Sequence, residues 1–186
     1  MAQQPADHRR GVQRGRVPLP VSVAREGEQI SFRDRDQDWV GVWHPPTLPA
    51  PTGTRWGSAA ICFTPDREVV VVSSNGKDWE IPSGKPEGDE DWRATLDREM
   101  LEEACARVEE ATLLGFMTGE IVRGSEKGLR LVRAHWRAVV SVEKWEPHHE
   151  ISHRLLVPPE NAMTYINMPQ DRLPILQRWF DEAMAI

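Results

Sequence analysis

The chain has 186 residues, a formal net charge of −6 at pH 7 and two cysteines. A chain of this length buries about 70% of its unfolded surface around one core, so we predict a single domain. The acidic balance argues against a nucleic-acid-binding surface, which needs clustered Lys and Arg, and favours metal-assisted handling of small anionic substrates. Cys62 and Cys105 lack CxxC spacing, so neither a disulfide framework nor a zinc site is indicated.

The first 18 residues are polar and basic, which is typical of a flexible arm. Their arginines are a candidate nucleic-acid contact, but a mobile tail is the favoured interpretation. No apolar run reaches membrane-spanning length, and the first residues lack the apolar stretch of a signal peptide. We therefore predict residues 1–18 as an arm, 19–186 as the domain, no membrane partner and a cytoplasmic location.

Residues 19–55 are predicted to hold N-terminal strands and a proline-rich connector. Short strands are expected at Pro20–Val23, at Gln29–Phe32 and around Trp39–Trp43. Four prolines between residues 44 and 51 then exclude regular structure, since proline lacks the amide donor and restricts its predecessor. This stretch is either a stiff connector or a covering loop.

The rest of the chain alternates apolar strand patterns with two helical ones. Asn75-Gly76 favours a tight turn between strands, and Gly124–Gly128 favours another. The expected strands are Ser58–Phe63, Glu68–Ser73, Asp78–Ile81, Ala111–Val122, Leu129–Val142 and Leu155–Val157. The expected helices cover about residues 89–105, with acidic residues 89–91 in its first turn, and Leu173–Met184. Strands flanked by two helices indicate a three-layer α/β/α sandwich.

The first helix carries a crowded acidic face. Glu99, Glu102 and Glu103 share about 100° of its circumference, where like charges repel. Arg98 is the cation within this cluster and is expected to point away from it, so another positive charge is needed. Mg²⁺ or Mn²⁺ prefers such oxygen ligands and retains room for substrate phosphates. A solvated charged face is the plainer alternative. An apolar stripe of Trp92, Leu96, Met100 and Ala104 is predicted to pack on the sheet.

The acidic helix belongs to a longer pattern. GKPEGDEDWRATLDREMLEEACA, from Gly84 to Ala106, resembles the Nudix box, Gly-x5-Glu-x7-Arg-Glu-apolar-x-Glu-Glu-x-Gly-apolar. Cys105 replaces the last glycine, so the helix is expected to continue through Ala106 or to end in another geometry. Residues 79–84 resemble the Pro-Gly-Gly lead-in of the family, with Ser83 replacing a glycine. The resemblance implies an α/β fold, a three-layer α/β/α sandwich with a mixed central sheet.

The resemblance also implies roles for individual residues. The implied metal ligands are Glu99, Glu102, Glu103 and the main-chain carbonyl of Ser83. Arg98 and Glu90 match the pair that braces the loop against the helix. Glu102 is the first candidate for the residue that takes the proton of the attacking water. Glu150, on a later loop before the last strand, is the second.

The implied activity is hydrolysis of a diphosphate bond by water attack on phosphorus, with Mg²⁺ or Mn²⁺ as cofactor. We expect a nucleoside diphosphate linked to another group, with a preference for ADP-ribose or a nucleotide sugar. No proline or tyrosine follows the box between Ala106 and Pro147, so no subfamily with such a marker is favoured. A sanitising nucleoside triphosphate pyrophosphatase and a non-catalytic nucleotide-sensing module remain alternatives. Relatives commonly dimerise, so a homodimer is left open.

Other side chains have a functional and a plainer interpretation. Histidines near residue 150 are candidate metal ligands or solvated loop residues, namely His148, His149 and His153. Four tryptophans are candidates for stacking on a nucleobase or for core packing, namely Trp43, Trp56, Trp136 and Trp145. Lys85 and Arg123 are candidate phosphate contacts or surface charges. The plainer interpretation is favoured for each.

Overall fold

Eight strands form one mixed sheet in the computed structural model, which describes residues 29–47, 49–147 and 149–186. The strands are β1 (Gln29–Asp34), β2 (Gln37–His44), β3 (Thr54–Phe63), β4 (Val69–Ser73), β5 (Ser83–Gly84), β6 (Ala106–Arg123), β7 (Arg130–Val142) and β8 (His153–Val157). The helices are α1 (Trp92–Ala104), α2 (Pro159–Tyr165) and α3 (Leu173–Met184). None of the described helices is both long and apolar enough to cross a membrane.

The sheet order is β1-β2-β6-β7-β3-β4-β8, with β5 paired to β3. Only β3 and β7 run parallel among the described strand pairs. β3 and β4 pair only at Phe63 and Val69 and then separate. Residues 80–84 fill the gap, bonding β4 through Glu80 and β3 through Pro82 to Gly84. We call this opening, bounded by β3, β4 and residues 80–84, the fork.

The two faces of the sheet bury different helices because successive strand residues point to opposite sides. Ala60, Cys62, Val70 and Val72 pack with the stripe of Leu96, Met100 and Ala104 on α1. Their neighbours pack with α2 and α3 on the other face, namely Ala59, Ile61, Val69 and Val71. The predicted three-layer α/β/α sandwich with a mixed sheet is confirmed.

Several predicted boundaries need correction. Asp78–Ile81 is not a strand, because its backbone makes only isolated bridges at Trp79 and Glu80. The Asn75 side chain instead accepts hydrogen bonds from the amides of Lys77 and Asp78, which stabilises a wider turn. β6 begins at Ala106 instead of residue 111, with register shifts between Val108 and Glu110 and between Leu113 and Gly115.

Helix α2 was not predicted, because Pro158-Pro159 was taken only as the end of a strand. Proline is compatible with the first turn of a helix, where its missing amide hydrogen has no partner to lose. The predicted arm at residues 1–18 and the strand at Pro20–Val23 lie outside the described residues.

Candidate active site

Helix α1 begins one residue after a side-chain cap. The Asp91 carboxylate accepts hydrogen bonds from the amides of Arg93 and Ala94 at 2.9 and 2.8 Å. Aspartate is among the best residues at this position because it satisfies amides that have no partner within the helix. The expected acidic first turn is therefore wrong: Asp89 and Glu90 precede the helix, and Asp91 caps it.

Arg98 turns back toward the acidic residues instead of pointing away from them, which corrects the expectation from sequence. Its guanidinium bonds Glu90 at 2.8 Å, the Lys85 carbonyl at 2.6 Å, and Glu102 at 2.8 Å. It also lies 3.0 Å from Glu99. The planar guanidinium of arginine carries several N–H donors, which allows one side chain to hold a loop carbonyl and three carboxylates together.

The Arg98–Glu90 pair braces the loop before α1. The hydrogen bond from Arg98 and a second from the Glu87 amide hold the pKa of Glu90 down at about 2. Glu90 also accepts from the Thr95 hydroxyl at 3.2 Å. Because the pair ties residue 90 to the second turn of the helix, it fixes the path of residues 85–90 relative to the acidic face.

Glu99 and Glu103 reach the turn at Ser83–Gly84, within the fork. A Cβ on Gly84 would lie 1.7 Å from a Glu99 carboxylate oxygen, so only glycine leaves room for that side chain. The Ser83 amide donates to the Glu103 carboxylate at 2.8 Å. Burial raises the pKa of Glu103 to about 8 and also raises that of Glu99, which Arg98 partly offsets. These carboxylates therefore crowd together away from bulk water.

The donor chemistry of this cluster fits a hard divalent cation. In their present positions, no three His, Cys, Asp or Glu side chains of the described residues are arranged as a group of metal ligands. Glu99 and Glu102 instead bond Arg98, and Glu103 bonds the Ser83 amide. Glu103 has no cation within ion-pair distance among the described residues, and burial disfavours its charged form. A cation with oxygen preference would relieve that cost.

Glu150 comes close enough to the cluster to affect its charges. It lies exposed on the loop before β8, where its carboxylate adds to the effect of burial in raising the pKa values of Glu103 and Glu80. Glu80, at the edge of the fork, was not singled out from the sequence. The structure thus brings all the candidate residues of the loop and helix together, with Glu150 within electrostatic range.

Arg133 on β7 is a second residue that sequence reasoning missed. Its positive charge lies in the field of Glu103, Glu80 and Glu99. The available signal was the alternation of Arg133, His135 and Arg137 with the apolar residues Ala134 and Trp136, which places three basic side chains on one face of β7.

The remaining candidates follow the plainer interpretation where the structure describes them. Trp43 is 1% exposed and belongs to the core. Lys85 lies over the Trp56 ring, 4.2 Å from its centroid, and Arg123 pairs with Asp38. His153 packs edge-on against Trp79. His148 lies outside the described residues.

The remaining tryptophan candidates make contacts within the protein. The Trp136 indole donates to the Ser58 hydroxyl at 3.3 Å. The guanidinium of Arg154 lies 5.1 Å from the centroid of the Trp145 ring. Both rings are partly exposed, so these contacts fix their positions without burying them fully.

Comparisons with solved structures show the same fold in other proteins. The pyrophosphohydrolase BsRppH of Bacillus subtilis superimposes with a TM-score of 0.64 and 21% identity, covering 83% of this chain and 96% of that one. The NUDIX domain of Shewanella oneidensis NrtR, solved with ADP ribose, gives 0.50 and 18%, covering 73% and 90%. MutT of Bacillus halodurans gives 0.50 and 18%, covering 66% and 79%.

No curated protein sequence matches this chain significantly. The family model of the NUDIX domain matches residues 53–179, which is more than half of the chain and includes the loop, the acidic helix and most of the sheet. Together with the braced loop and the glutamates at the fork, this match shows that the chain belongs to the Nudix hydrolase family.

Proposed function

We propose that this Nudix hydrolase cleaves the diphosphate bond of a nucleoside diphosphate linked to another group, with Mg²⁺ or Mn²⁺ as cofactor. The observation that carries the proposal is the convergence of Glu99 and Glu103 on the Ser83–Gly84 turn, with Glu102 held beside them by Arg98. A protein that only bound nucleotides would have little need for three crowded carboxylates, whose repulsion and burial both disfavour folding.

In this proposal Glu99, Glu102, Glu103 and the Ser83 carbonyl would hold the cation. When bound, it offsets negative charge on the phosphates and lowers the pKa of a coordinated water. Arg98 keeps Glu102 in place through their 2.8 Å contact. Glu102 accepts the proton of the attacking water, since its side chain is 31% exposed whereas that of Glu99 is only 11% exposed. Glu150 is the alternative base.

We infer that the substrate is ADP-ribose or a nucleotide sugar, and that the products are a nucleoside monophosphate and a second phosphorylated fragment. The support is the ADP ribose bound to the NrtR domain, which shares the fold with this chain. A nucleoside triphosphate pyrophosphatase would use the same glutamates, and the relation in fold to a MutT protein keeps it as the second candidate. A nucleotide sensor is the third.

Product release from a panel of nucleotides with Mg²⁺ or Mn²⁺ tests the proposal. The panel contains ADP-ribose, nucleotide sugars and nucleoside triphosphates. Glu102→Gln and Glu103→Gln should each lower kcat by about 100-fold or more, as expected for loss of a proton acceptor or metal ligand. Glu110→Gln, an exposed change on β6, is the matched control and should leave kcat unchanged.

The outcomes separate the candidates. Preferential release from nucleoside triphosphates would favour the pyrophosphatase, and tight binding without turnover in the wild type would favour the sensor. Hydrolysis in ¹⁸O-labelled water should place the label on a phosphate group of one product, because water attacks phosphorus in the proposed reaction. Label on a sugar carbon would contradict the mechanism.

We also propose a cytoplasmic location and a homodimer. Both derive from the sequence and the family resemblance. Light scattering of the purified protein at several concentrations tests the dimer, and a monomer mass at all of them would exclude it.

A further inference from the structure

Arg133 is a half-buried cation whose side chain bonds no described residue. Its Nε atom is buried, and it donates no hydrogen bond to any described residue. The guanidinium also makes no ion pair within 4.0 Å in the described ranges 29–47, 49–147 and 149–186. Removing such a group from water is costly unless something compensates for the lost hydration. An arginine held in this state is therefore prepared for a partner that the protein does not itself supply.

The sheet places Arg133 beside the fork. β7 runs parallel to β3, and Arg133 pairs there with Gly57. A Cβ on Gly57 would lie 1.7 Å from the Gly84 carbonyl oxygen, so this part of β3 directly contacts the turn that Glu99 reaches. Only β3 therefore lies between Arg133 on β7 and the Ser83–Gly84 turn, and neighbouring strands are about 5 Å apart.

Arg133 approaches from the face opposite to α1. Its neighbours at alternate positions contact α3: His135 stacks on Trp179 at 3.6 Å between ring centroids, and Arg137 donates to the Ala183 carbonyl at 3.1 Å. Alternation along the strand puts the Arg133 side chain on that same face. The acidic side chains come from α1 on the other face. Arg133 and these side chains therefore approach the fork from opposite faces of the sheet.

Nearby carboxylates explain why the guanidinium tolerates partial burial. Burial lowers the pKa of Arg133, whereas the carboxylates of Glu103, Glu80 and Glu99 raise it. Burial and the charge of Arg133 together keep the pKa of His135 well below its usual value, so no second cation competes at this position. The attraction acts through space, since none of these carboxylates bonds the guanidinium. Once a divalent cation neutralises them, Arg133 needs another anion.

We propose that Arg133 binds a phosphate oxygen of the substrate diphosphate, from the face of the sheet opposite to the metal-binding glutamates. This inference rests on the proposed function. The planar guanidinium of arginine matches the geometry of phosphate oxygens, and a charge-assisted hydrogen bond to phosphate replaces the lost hydration. The diphosphate is then held from two sides, by the acidic residues of α1 and by the cation on β7.

Calorimetric titration of magnesium pyrophosphate into the wild type, Arg133→Met and Arg133→Lys tests this assignment without requiring turnover. We expect Arg133→Met to raise Kd by about 10- to 100-fold. The Kd of Arg133→Lys should lie between those of the wild type and Arg133→Met, because lysine retains the charge but lacks the planar guanidinium. Arg137→Met is the matched control on the same face of the same strand. It should leave Kd unchanged while lowering Tm, since its role is to bond α3.

A purely structural role for Arg133 predicts the opposite pattern, in which Arg133→Met lowers Tm and leaves Kd within twofold of the wild type. That result overturns the inference and leaves the proposed function intact. Failure of the wild type to bind pyrophosphate or to hydrolyse any diphosphate would instead remove the proposed function, and this inference with it.

If Arg133→Met does not fold, the Nε–H resonance of Arg133 in the wild type, assigned by its absence from Arg133→Lys, provides a second measurement. It should move downfield and exchange more slowly with solvent when magnesium pyrophosphate is added. An unchanged resonance at saturating ligand would also overturn the inference.

Discussion

Helices α1 and α3 lie on opposite faces of one sheet and are held there by different forces. α3 buries a continuous apolar stripe that includes Ile175, Leu176 and Phe180. α1 buries Leu96 and Met100, but its other attachments are a capping aspartate, the Arg98 network and the contact of Glu103 with Ser83. Polar attachments specify position through distance and direction, whereas apolar packing depends mainly on area and fit.

This difference matches the roles of the two helices. A site that brings carboxylates to a turn needs its helix in one defined orientation and position relative to that turn. Directional hydrogen bonds and ion pairs fix both. α3 contributes core volume, for which volume and pattern are enough. Mutations in α3 should therefore change stability more than the turnover of the folded protein, whereas mutations in the Arg98 network should lower the turnover of the folded protein as well.

The largest effect on stability is expected for Phe180→Ala, which removes a ring that is 3% exposed in the core between α3 and the sheet. The free energy of unfolding should fall by about 3–5 kcal/mol, from lost burial and the cavity left behind. Denaturant unfolding measures this, and kcat per folded molecule should change little. Gln177→Ala, an exposed change on the same helix, should stay within about 0.5 kcal/mol. A stability loss below about 1 kcal/mol would contradict the role given to α3.

Arg98→Met should lower both the stability of the protein and the turnover of the molecules that remain folded. It leaves Glu90, Glu99 and Glu102 without their shared cation, so we expect a loss of about 2–4 kcal/mol in stability. Turnover of the folded protein should fall by at least about 100-fold, because the loop and Glu102 lose their positions. Steady-state kinetics under conditions where both proteins are folded measures this.

Arg93→Met is the control for this change, since Arg93 lies on the same helix and forms an exposed i,i+4 pair with Asp97. Its effect on stability should stay below about 1 kcal/mol. If Arg98→Met turned over substrate as fast as Arg93→Met, the positioning role of the network would be refuted.

Glu90→Gln should reveal the brace through its pH dependence. The pKa of Glu90 is about 2 in the folded protein, below its ordinary value of 4.5, so its charged form stabilises the fold. This contribution is fully present above pH 4.5 and is lost as the pH falls from 4.5 toward about 2. We expect Glu90→Gln to be about 1–2 kcal/mol less stable than the wild type at pH 7. The difference should shrink in that acidic window.

Unfolding by urea at a series of pH values measures this difference. Asp97→Asn, an exposed change in the same helix, is the control and should show a much smaller difference. A wild-type advantage that stayed constant from pH 7 to pH 3 would contradict the assignment of the low pKa to the Arg98 contact.

The smallest effect is expected where α1 ends. Cys105 has φ 44° and ψ 51°, the left-handed conformation that glycine adopts at little cost, and its amide donates to the carbonyls of Met100 and Leu101. Cys105→Gly and Cys105→Ala both remove the thiol, but only the first removes the Cβ strain. We expect the glycine variant to be about 1 kcal/mol more stable than the alanine variant, measured by thermal unfolding. Equal stability would show that the conformation carries no strain.

The contrast between the apolar packing of α3 and the polar attachments of α1 also explains what could be predicted from the sequence. The apolar spacing of α3 was sufficient to place it at Leu173–Met184, and the spacing of acidic residues located α1 and its acidic face. Both signals are local. The direction of Arg98 was predicted wrongly because helical spacing alone does not show that a long side chain bonds a glutamate eight residues earlier.

Features with an ambiguous local pattern, or that depend on distant contacts, were missed. α2 begins at a proline pair, which is equally compatible with a strand end and with a first helical turn. Asp78–Ile81 has a strand pattern, but the turn stabilised by Asn75 and the separation of β3 from β4 leave it only isolated bridges. Arg133 is brought near the acidic residues only because β7 pairs with β3. Its partner there, Gly57, lies 76 residues earlier in the chain.

The hairpin of β1 and β2 precedes the region that matches the family, residues 53–179. β2 pairs with β6 from Asp38 to His44, so it covers the outer backbone edge of the longest described strand. A shortened chain starting at residue 45 would keep the loop and α1 but expose the amides and carbonyls of residues 116–123 to other molecules. Uncovered strands of that kind recruit further copies and precipitate. We therefore expect the hairpin to prevent such pairing along β6, separately from the chemistry of the site.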